Sequence, residues 1–216
     1  MKLIITGATG MVGEGVLIEC LRDTRVESVL SVSRQPCGHS HPKLKELLID
    51  DFMNIGNYAS QLAGYDGCLF CAGVSSVGMA EEKYTQLTYN MTLRFAEAVK
   101  SVNSQLTFIY VSGSHTDSTE KGKIMWARVK GRTENALTRL GFKGAYAFRP
   151  GLMKPFKEQK NFKGINKYIK VIFPLFNLFF KNIPLSDVGR AMINTVQKGY
   201  SKNILEIKDI IQQAKA

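Results

Sequence analysis

The sequence is poor in cysteine and histidine, with four of the first and three of the second among 216 residues. So few cysteines do not make the dense disulfide framework of a small secreted domain, and the chain opens on an apolar, strand-like run instead of a signal peptide. We therefore expect free thiols in a reducing, cytoplasmic setting. The segment Cys-Gly-His-Ser-His (37–41) crowds potential ligands together, but no fourth residue has zinc-type spacing, so we expect a loop and no metal.

Apolar runs long enough to cross a bilayer are also lacking, because Pro174 interrupts the longest one, VIFPLFNLFF. Acidic residues are outnumbered 18 to 29 by lysine and arginine, and lysines recur beside aromatic residues through 154–182. We favour packing of this segment on the sheet edge or in a dimer, with membrane-surface contact as the alternative. The sequence offers no base-stacking platform or reading helix, so we do not expect nucleic acid as a partner.

The first motif is a glycine turn between a strand and a helix. KLIIT (2–6) is a short apolar run, GATGMVG follows at once, and the next ten residues have helical spacing. Gly7 permits a tight turn, Gly10 lets the backbone approach a pyrophosphate, and Gly13 lets the helix pack closely on the strand. The helix N-terminus then offers N–H groups to phosphates. This order predicts a dinucleotide-binding loop.

A second predicted strand, 28–34, ends in Ser33 and Arg34. The end of this strand lies beside the adenosine ribose in a doubly wound sheet, where an acidic residue would bind the 2′-hydroxyl of NAD. Arginine instead suits a 2′-phosphate because its guanidinium is planar and always charged. The sequence therefore favours NADP(H) over NAD(H).

Strands and helices alternate along the rest of the chain. We predict strands at 44–54, 67–73, 106–114 and 144–151, and helices at 81–102 and 123–141. Such alternation is typical of an α/β protein with a parallel sheet covered on both faces, and ligands of such sheets bind beyond the carboxyl ends of the strands. Cys68 and Cys71 lie three apart in a strand, hence on opposite faces, which argues against a redox pair.

Taken together, these motifs resemble the short-chain dehydrogenase/reductases of the extended or atypical kind, and most closely the branch of Tat-interacting oxidoreductase-like proteins. The resemblance is carried by TGATGMVG, DDF, CAG, YVSGS, WARVKGRTE and FRPG, which occur in order over residues 2–151, and by IPLSDVGRAMINTV at 183–196. It implies a Rossmann doubly wound sheet, with an NAD(P)-binding core at 1–151. A small C-terminal helical substrate lobe with a final helix packed on the core would occupy 152–216.

The resemblance also implies a set of cofactor-binding residues. These are Gly7, Thr9, Gly10, Met11, Val12 and Gly13 at the pyrophosphate, Ser33 and Arg34 at the adenosine ribose, Asp51 and Phe52 at the adenine, and Cys71, Ala72, Gly73, Ser112, Lys130, Pro150 and Gly151 toward the nicotinamide. Lys130 matches the family lysine that binds the ribose hydroxyls.

The chain departs from the family at Trp126, where a tyrosine is the usual general acid or base. An indole N–H only donates and cannot relay a proton. Ser114 and Ser112 compete for the role of the serine that assists catalysis, and we favour Ser114. His115, Tyr84 and Tyr89 are weaker substitutes for the missing tyrosine.

Two functions follow from this pattern. The first is an oxidoreductase or epimerase-like enzyme acting on a small carbonyl or alcohol substrate, with Ser114 and Lys130 as catalytic residues. The alternative is a catalytically impaired NADP(H)-sensing or interaction module that retains the cofactor site. The sequence identifies neither the substrate nor the oligomeric state.

Overall fold

A computed structural model describes residues 1–161 and 182–216. Within this part of the chain, seven parallel strands form one sheet in the order β3-β2-β1-β4-β5-β6-β9. A separate parallel pair joins β7 to β8. The strands are β1 Lys2–Thr6, β2 Ser28–Ser33, β3 Leu44–Leu48, β4 Gly67–Phe70, β5 Thr107–Val111, β6 Gly144–Arg149, β7 Leu152–Lys154, β8 Asn182–Pro184 and β9 Ile204–Glu206. The predicted doubly wound α/β sheet is confirmed.

Helices cover both faces of this sheet. They are α1 Met11–Arg22, a 3₁₀ helix Phe52–Leu62, α2 Glu81–Thr85, a π-helical turn Gln86–Asn90, α3 Met91–Val102, α4 Met125–Arg139, α5 Leu185–Lys198 and α6 Ile207–Gln213. The predicted helix over 81–102 is thus one long helical segment interrupted by the π turn.

The core has two halves because strand side chains alternate between faces. Leu3 and Ile5 point into a cluster with α1, α5 and α6, whereas Ile4 points into a cluster with the 3₁₀ helix and α3. From Leu3 to Thr6, both faces of β1 are fully buried, as expected of a parallel strand in the middle of a sheet.

The sequence-based boundaries need two corrections. The strand predicted at 44–54 ends at Leu48, because the Asp51 side chain accepts a hydrogen bond from the Met53 amide at 2.9 Å and begins the 3₁₀ helix. The short strand β9, which pairs with β6 at the sheet edge, was not predicted. Three residues are too few to show the alternation by which a strand is recognised.

The C-terminal part of the chain contributes to the hydrophobic core as well as to the edge of the sheet. Helix α5 packs on α1, and its Leu185, Val188 and Met192 are fully buried. The division into a core at 1–151 and a substrate lobe at 152–216 stays a prediction. Most of the basic and apolar segment at 154–182 lies outside the described residues.

Candidate active site at the carboxyl edge of the sheet

The glycine turn lies where the strand order reverses, between β1 and β4. Gly7 has a φ of +73°, and a Cβ there would lie 2.7 Å from the Cys71 carbonyl and the Ala72 amide nitrogen. A Cβ on Gly13 would lie 2.2 Å from the Gly7 carbonyl oxygen. Glycine is therefore required at both positions by the backbone itself.

Gly10 differs from these two glycines because a Cβ there would meet only the Gly7 oxygen, at 3.5 Å. Gly10 is the N-cap of α1, and no side chain of the described residues caps that helix. Its first amides are thus left for a ligand, and the helix dipole favours an anion at this place. The residues present fit the pyrophosphate of a dinucleotide.

A cavity opens from this turn toward β2 and β3. It is lined by Thr9, Ser33, Arg34, Asp50, Asp51, Phe52 and Met91, together with the glycine turn and residues 71–74. Arg34 is exposed, and it forms no ion pair within the described ranges. Asp51 and Arg34 therefore lie together at one end of the cavity, as the sequence predicts for an adenosine site.

The other end of the cleft lies beside β5 and α4. Its lining includes Gly10, Met11, Val12, Gly13, Cys71, Ala72, Gly73, Val111, Ser112, Lys130 and Met153. Lys130 is partly buried, and its Nζ lies 3.3 Å from the Tyr110 hydroxyl and 3.4 Å from the Val111 carbonyl oxygen. The structure thus brings the lysine, one of the two candidate serines and the glycine turn to one cleft.

The two candidate serines have different surroundings. Ser112 is buried, with its hydroxyl 3.0 Å from that of Thr116, and it lines the cleft. The Ser114 hydroxyl is buried without a hydrogen bond among the described residues, and a Cβ on Gly151 would lie 2.9 Å from it. The geometry therefore favours Ser112 over Ser114, the reverse of the preference from sequence.

Trp126 is the second residue of α4, one turn before Lys130. Its ring packs near Gly113, where an added Cβ would lie 3.4 Å from Trp126 Cζ3. The indole thus covers the peptide next to Ser112. It is the single tryptophan of the sequence, which makes its fluorescence a reporter of this site.

The other candidates for the missing acid are placed less favourably. Tyr84 is almost completely buried, and Tyr89 packs its ring under Arg132, with the guanidinium carbon 4.3 Å from the ring centre. His115 is exposed and has a φ of +65°, an uncommon conformation for a residue with a side chain. None of the three is among the residues that line the cleft next to Lys130 in the described part of the chain.

A buried ion pair lies behind Lys130. Arg149, at the end of β6, donates to both carboxylate oxygens of Glu134 and to the Ser118 hydroxyl. The side chains of Arg149 and Glu134 are only 9% and 3% exposed. The hydrogen bonds and charge of Glu134 and Glu206 hold the pKa of Arg149 above its ordinary value against burial, the largest influence, which lowers it. Pro150, which follows, is buried, and Gly151 has a φ of +65°.

A second buried carboxylate lies under the glycine turn. Glu14 of α1 is completely buried and accepts the amides of Lys160 and Asn161 at 2.6 and 2.8 Å. His39 Nε2 lies 2.8 Å from the same carboxylate. The Asn161 amide group donates to the carbonyl oxygens of Ala8 and Cys37. Glu14 thus ties residues 159–161 and the loop after β2 to the nucleotide-binding helix.

The Cys-x-x-Cys pair is split by the sheet. Cys68 belongs to the core cluster on the α3 side, whereas Cys71 packs against the cluster on the α1 side. All four cysteines are free. Burial raises the pKa of the Cys71 thiol to about 12, so it contributes an uncharged wall to the cleft.

Sequence reasoning missed Tyr110, which supports Lys130 from β5. Tyr110 is 1% exposed, and Lys130 Nζ lies 5.0 Å from the centre of its ring. Burial raises the pKa of its hydroxyl far above the ordinary value. The signal was present in the motif YVSGS, in which Tyr110 lies near the end of β5, two residues before Ser112.

The comparison with protein families identifies the class. Residues 3–123 match the model of the NAD dependent epimerase/dehydratase family. The chain therefore belongs to this family, and the resemblance to an atypical, epimerase-like short-chain dehydrogenase/reductase is confirmed. Membership supports an NAD(P)-binding role of the oxidoreductase or epimerase type. The finer assignment to the Tat-interacting oxidoreductase-like branch stays a prediction.

Curated relatives align with most of the chain at low sequence identity. The mitochondrial protein FMP52 of Candida albicans is 26% identical, and the match covers 97% of this chain and 92% of the relative. The mitochondrial protein fmp52 of Aspergillus clavatus is 27% identical over 73% of this chain and 69% of the relative. These names do not specify an activity.

Solved structures share the fold at low identity. MoeE5 in complex with UDP-glucuronic acid and NAD has a TM-score of 0.71 and 16% identity, covering 96% of this chain and 76% of that one. The enzyme WbmH of Bordetella bronchiseptica in complex with NAD+ has a TM-score of 0.68 and 16% identity, covering 95% and 74%. They confirm the Rossmann-like sheet.

The predicted cytoplasmic location is contradicted by these comparisons, since several curated relatives are named as mitochondrial proteins. The prediction used free thiols and the lack of a secretory signal, and neither separates the cytoplasm from another reducing compartment. Over residues 1–161 and 182–216, no helix is long and apolar enough to cross a membrane.

Proposed function

We propose that the protein is an NADP(H)-dependent oxidoreductase or epimerase-like enzyme that acts on a small carbonyl or alcohol substrate. The observation that carries this proposal is the single cleft shared by the glycine turn, Ser112 and Lys130 at the point where the strand order reverses. Ligands of open α/β sheets bind at such points.

Each group of residues in the cleft has its own role in the proposed reaction. The free amides at the start of α1 bind the pyrophosphate, and the Lys130 ammonium lies in the same cleft on the nicotinamide side. Ser112 lines the cleft. Because the Thr116 hydroxyl donates to the Gly113 carbonyl, the Ser112 hydroxyl donates to Thr116 in the structure, and it would turn from Thr116 to donate to the substrate oxygen. The bound reduced nicotinamide supplies the hydride. Met153 lines the cleft and excludes water from the reacting groups.

The preference for NADP(H) rests on Arg34. Its exposed guanidinium is not neutralised by an ion pair in the described chain and lines the cavity near Ser33 and Thr9. A 2′-phosphate there would be bound by a planar, permanently charged donor. Asp50 and Asp51 lie in the same lining, so the test must compare both nucleotides.

The test is a titration of NADPH and NADH followed by the fluorescence of Trp126. We expect NADPH to bind the parent at least about tenfold more tightly than NADH, and Arg34→Ala to remove most of this difference, since a charged hydrogen bond contributes about 1.5–3 kcal/mol. The control is Arg139→Ala, which removes an exposed arginine at the far end of α4. Equal affinity of the parent for both nucleotides would contradict the preference.

The alternative proposal is an NADP(H)-sensing module, and it is favoured by Trp126 in the position of the usual acid. Such a module binds NADPH but consumes none when offered carbonyl compounds. Steady oxidation of NADPH by the parent protein with a carbonyl such as isatin would exclude it.

A further inference from the structure

Among the described residues, Lys130 has acceptors for two of its three N–H donors. An ammonium carries three N–H donors. Two of the three have neutral acceptors, the Tyr110 hydroxyl and the Val111 carbonyl oxygen. The side chain also lines the cleft next to Ser112. The remaining donor therefore serves whatever occupies that cleft.

Lys130 has no carboxylate partner within the described residues. The nearest acid on its own helix is Glu134, one turn further on, whose two carboxylate oxygens bind Arg149. The groups that face Lys130 from the neighbouring strands are neutral: Tyr110 on β5, with Tyr84 behind it, and the Cys71 thiol after β4. A partly buried ammonium without a counter-charge is an unusual arrangement, because burial disfavours the charged form.

The cleft meanwhile lacks the family's proton donor. Trp126 occupies the position one turn before Lys130, and its indole cannot release a proton to a substrate. We propose that Lys130 itself is the general acid of the reaction, and that Tyr110 is the residue that positions it. This inference rests on the proposed reductase function.

The proton transfer balances as follows. Addition of a hydride to the carbonyl carbon moves the electron pair of the C=O π bond onto oxygen. One N–H bond of the Lys130 ammonium breaks and an O–H bond forms on that oxygen, which gives the alcohol and a neutral amine. The amine then takes a proton from solvent. In the oxidation of an alcohol the same groups act in reverse.

The charge properties of the two residues are consistent with these roles. Burial lowers the pKa of Lys130 to about 8, against the opposing influence of Glu134. Burial raises the pKa of Tyr110, so its hydroxyl stays neutral and accepts from the ammonium. Reduction requires the protonated lysine, and we therefore expect its rate to fall as the pH rises through the pKa of Lys130.

The first test measures the titration of Lys130 directly. Competitive acetylation across pH 6–11, read by mass spectrometry, gives the pKa of each lysine in the folded protein without cofactor. We expect Lys130 to titrate near 8, and the exposed Lys143 serves as the internal reference. Tyr110→Phe keeps the ring but removes the acceptor, so the pKa of Lys130 should fall by about one unit. Titration of Lys130 together with Lys143, or no change in Tyr110→Phe, would overturn the proposal.

The second test separates proton transfer from cofactor binding. Lys130→Arg keeps a permanent cation in the cleft but cannot release a proton near neutral pH. We expect it to bind NADPH within about threefold of the parent and to reduce isatin at least about 100-fold more slowly. Reduction at the parent rate by Lys130→Arg would overturn the role of Lys130. Failure of the parent to bind NADPH would instead refute the proposed function, and the acetylation result would still stand as measured.

Discussion

The two ends of the cleft are built in different ways. At the end proposed for the pyrophosphate, backbone atoms form the site. Gly7 and Gly13 allow neighbouring backbone segments to approach closely, and the first amides of α1 are available to an anion. At the nicotinamide end the side chains of Ser112, Lys130 and Tyr110 make it. The first end follows the family's motif, while the second departs from it at Trp126.

This difference separates two kinds of specificity. A site formed by backbone atoms depends on glycine at particular positions, so it can be recognised from the spacing of glycines in the sequence. A site made of side chains depends on which rotamers and turns bring them together. The membership of the family therefore supports cofactor binding more directly than it supports the chemistry.

The largest predicted effect contrasts two glycines of the same turn. Gly13→Ala places a Cβ 2.2 Å from the Gly7 oxygen, and we expect a loss of at least about 3 kcal/mol in the free energy of unfolding. Gly10→Ala meets only an ordinary contact at 3.5 Å. It should fold with a stability within about 0.5 kcal/mol of the parent and bind NADPH at least about tenfold more weakly.

Urea unfolding and the Trp126 titration measure the two quantities in the same samples. The matched control is Gly56→Ala in the 3₁₀ helix, away from the cleft, where the added Cβ would meet only the Arg94 side chain at 3.9 Å. Loss of folding in Gly10→Ala, or a stable Gly13→Ala, would show that the backbone end is not built as described.

The next effect concerns the buried ion pair between Arg149 and Glu134, which lies behind Lys130. Arg149→Met leaves Glu134 buried without its partner, which should cost about 3–5 kcal/mol in thermal or urea unfolding. The double variant with Glu134→Leu should recover part of this loss. Glu206→Gln removes the half-exposed partner of the same arginine and should cost no more than about 1 kcal/mol. Similar losses of stability in Arg149→Met and Glu206→Gln would contradict this ranking.

The same variant sharpens the interpretation of Lys130. Once Arg149 is replaced, the charge of Glu134 is free to act on the lysine one turn before it. The pKa of Lys130 should then rise from about 8, because a nearby anion favours the ammonium. Competitive acetylation of Arg149→Met would show this rise, provided that the variant is folded at the working temperature.

A smaller effect is expected where the chain departs from its family. Trp126→Tyr supplies a second proton donor, and we expect isatin reduction to increase about tenfold, most clearly above pH 8 where Lys130 loses its proton. Trp126→Phe is the matched control and should give no increase. Activity that appears in Trp126→Tyr and is absent from the parent would instead favour the NADP(H)-sensing alternative.

The smallest effect concerns Cys71. Its thiolate is scarce near neutrality because burial raises the pKa to about 12, so iodoacetamide should modify it far more slowly than a free cysteine at pH 8. The rate should increase only as the pH approaches that value. Treatment with a disulfide-forming oxidant should leave Cys68 and Cys71 unlinked. Rapid formation of such a disulfide would contradict their placement on opposite faces.

The sequence predicted the fold well wherever long patterns or glycine spacing carried the information. The buried strands β1, β4, β5 and β6 and the long helices all occur close to their predicted places. The π turn at Gln86–Asn90 and the three-residue β9 were missed. Their formation depends on tertiary packing and not on local periodicity.

At the site, the choice between Ser112 and Ser114 was beyond the sequence. The backbone after Gly113 turns, with a left-handed conformation at His115, and Ser112, unlike Ser114, is among the residues that line the cleft. The role of Tyr110 depends likewise on a contact between β5 and α4, which are separated by 20 residues at the contacting pair. Side-chain contacts of this kind follow from the assembled fold.

The buried carboxylate of Glu14 makes the assembly of the protein depend on its order of synthesis. Its backbone partners at residues 160 and 161 are about 146 positions further along the chain. A ribosome-bound chain that has produced only α1 and the first strands therefore contains this carboxylate without those amides, at a place where burial then opposes folding. His39 can reach this carboxylate earlier, but its backbone partners arrive only when residues 160 and 161 have been made, which links the earliest part of the site to a much later one.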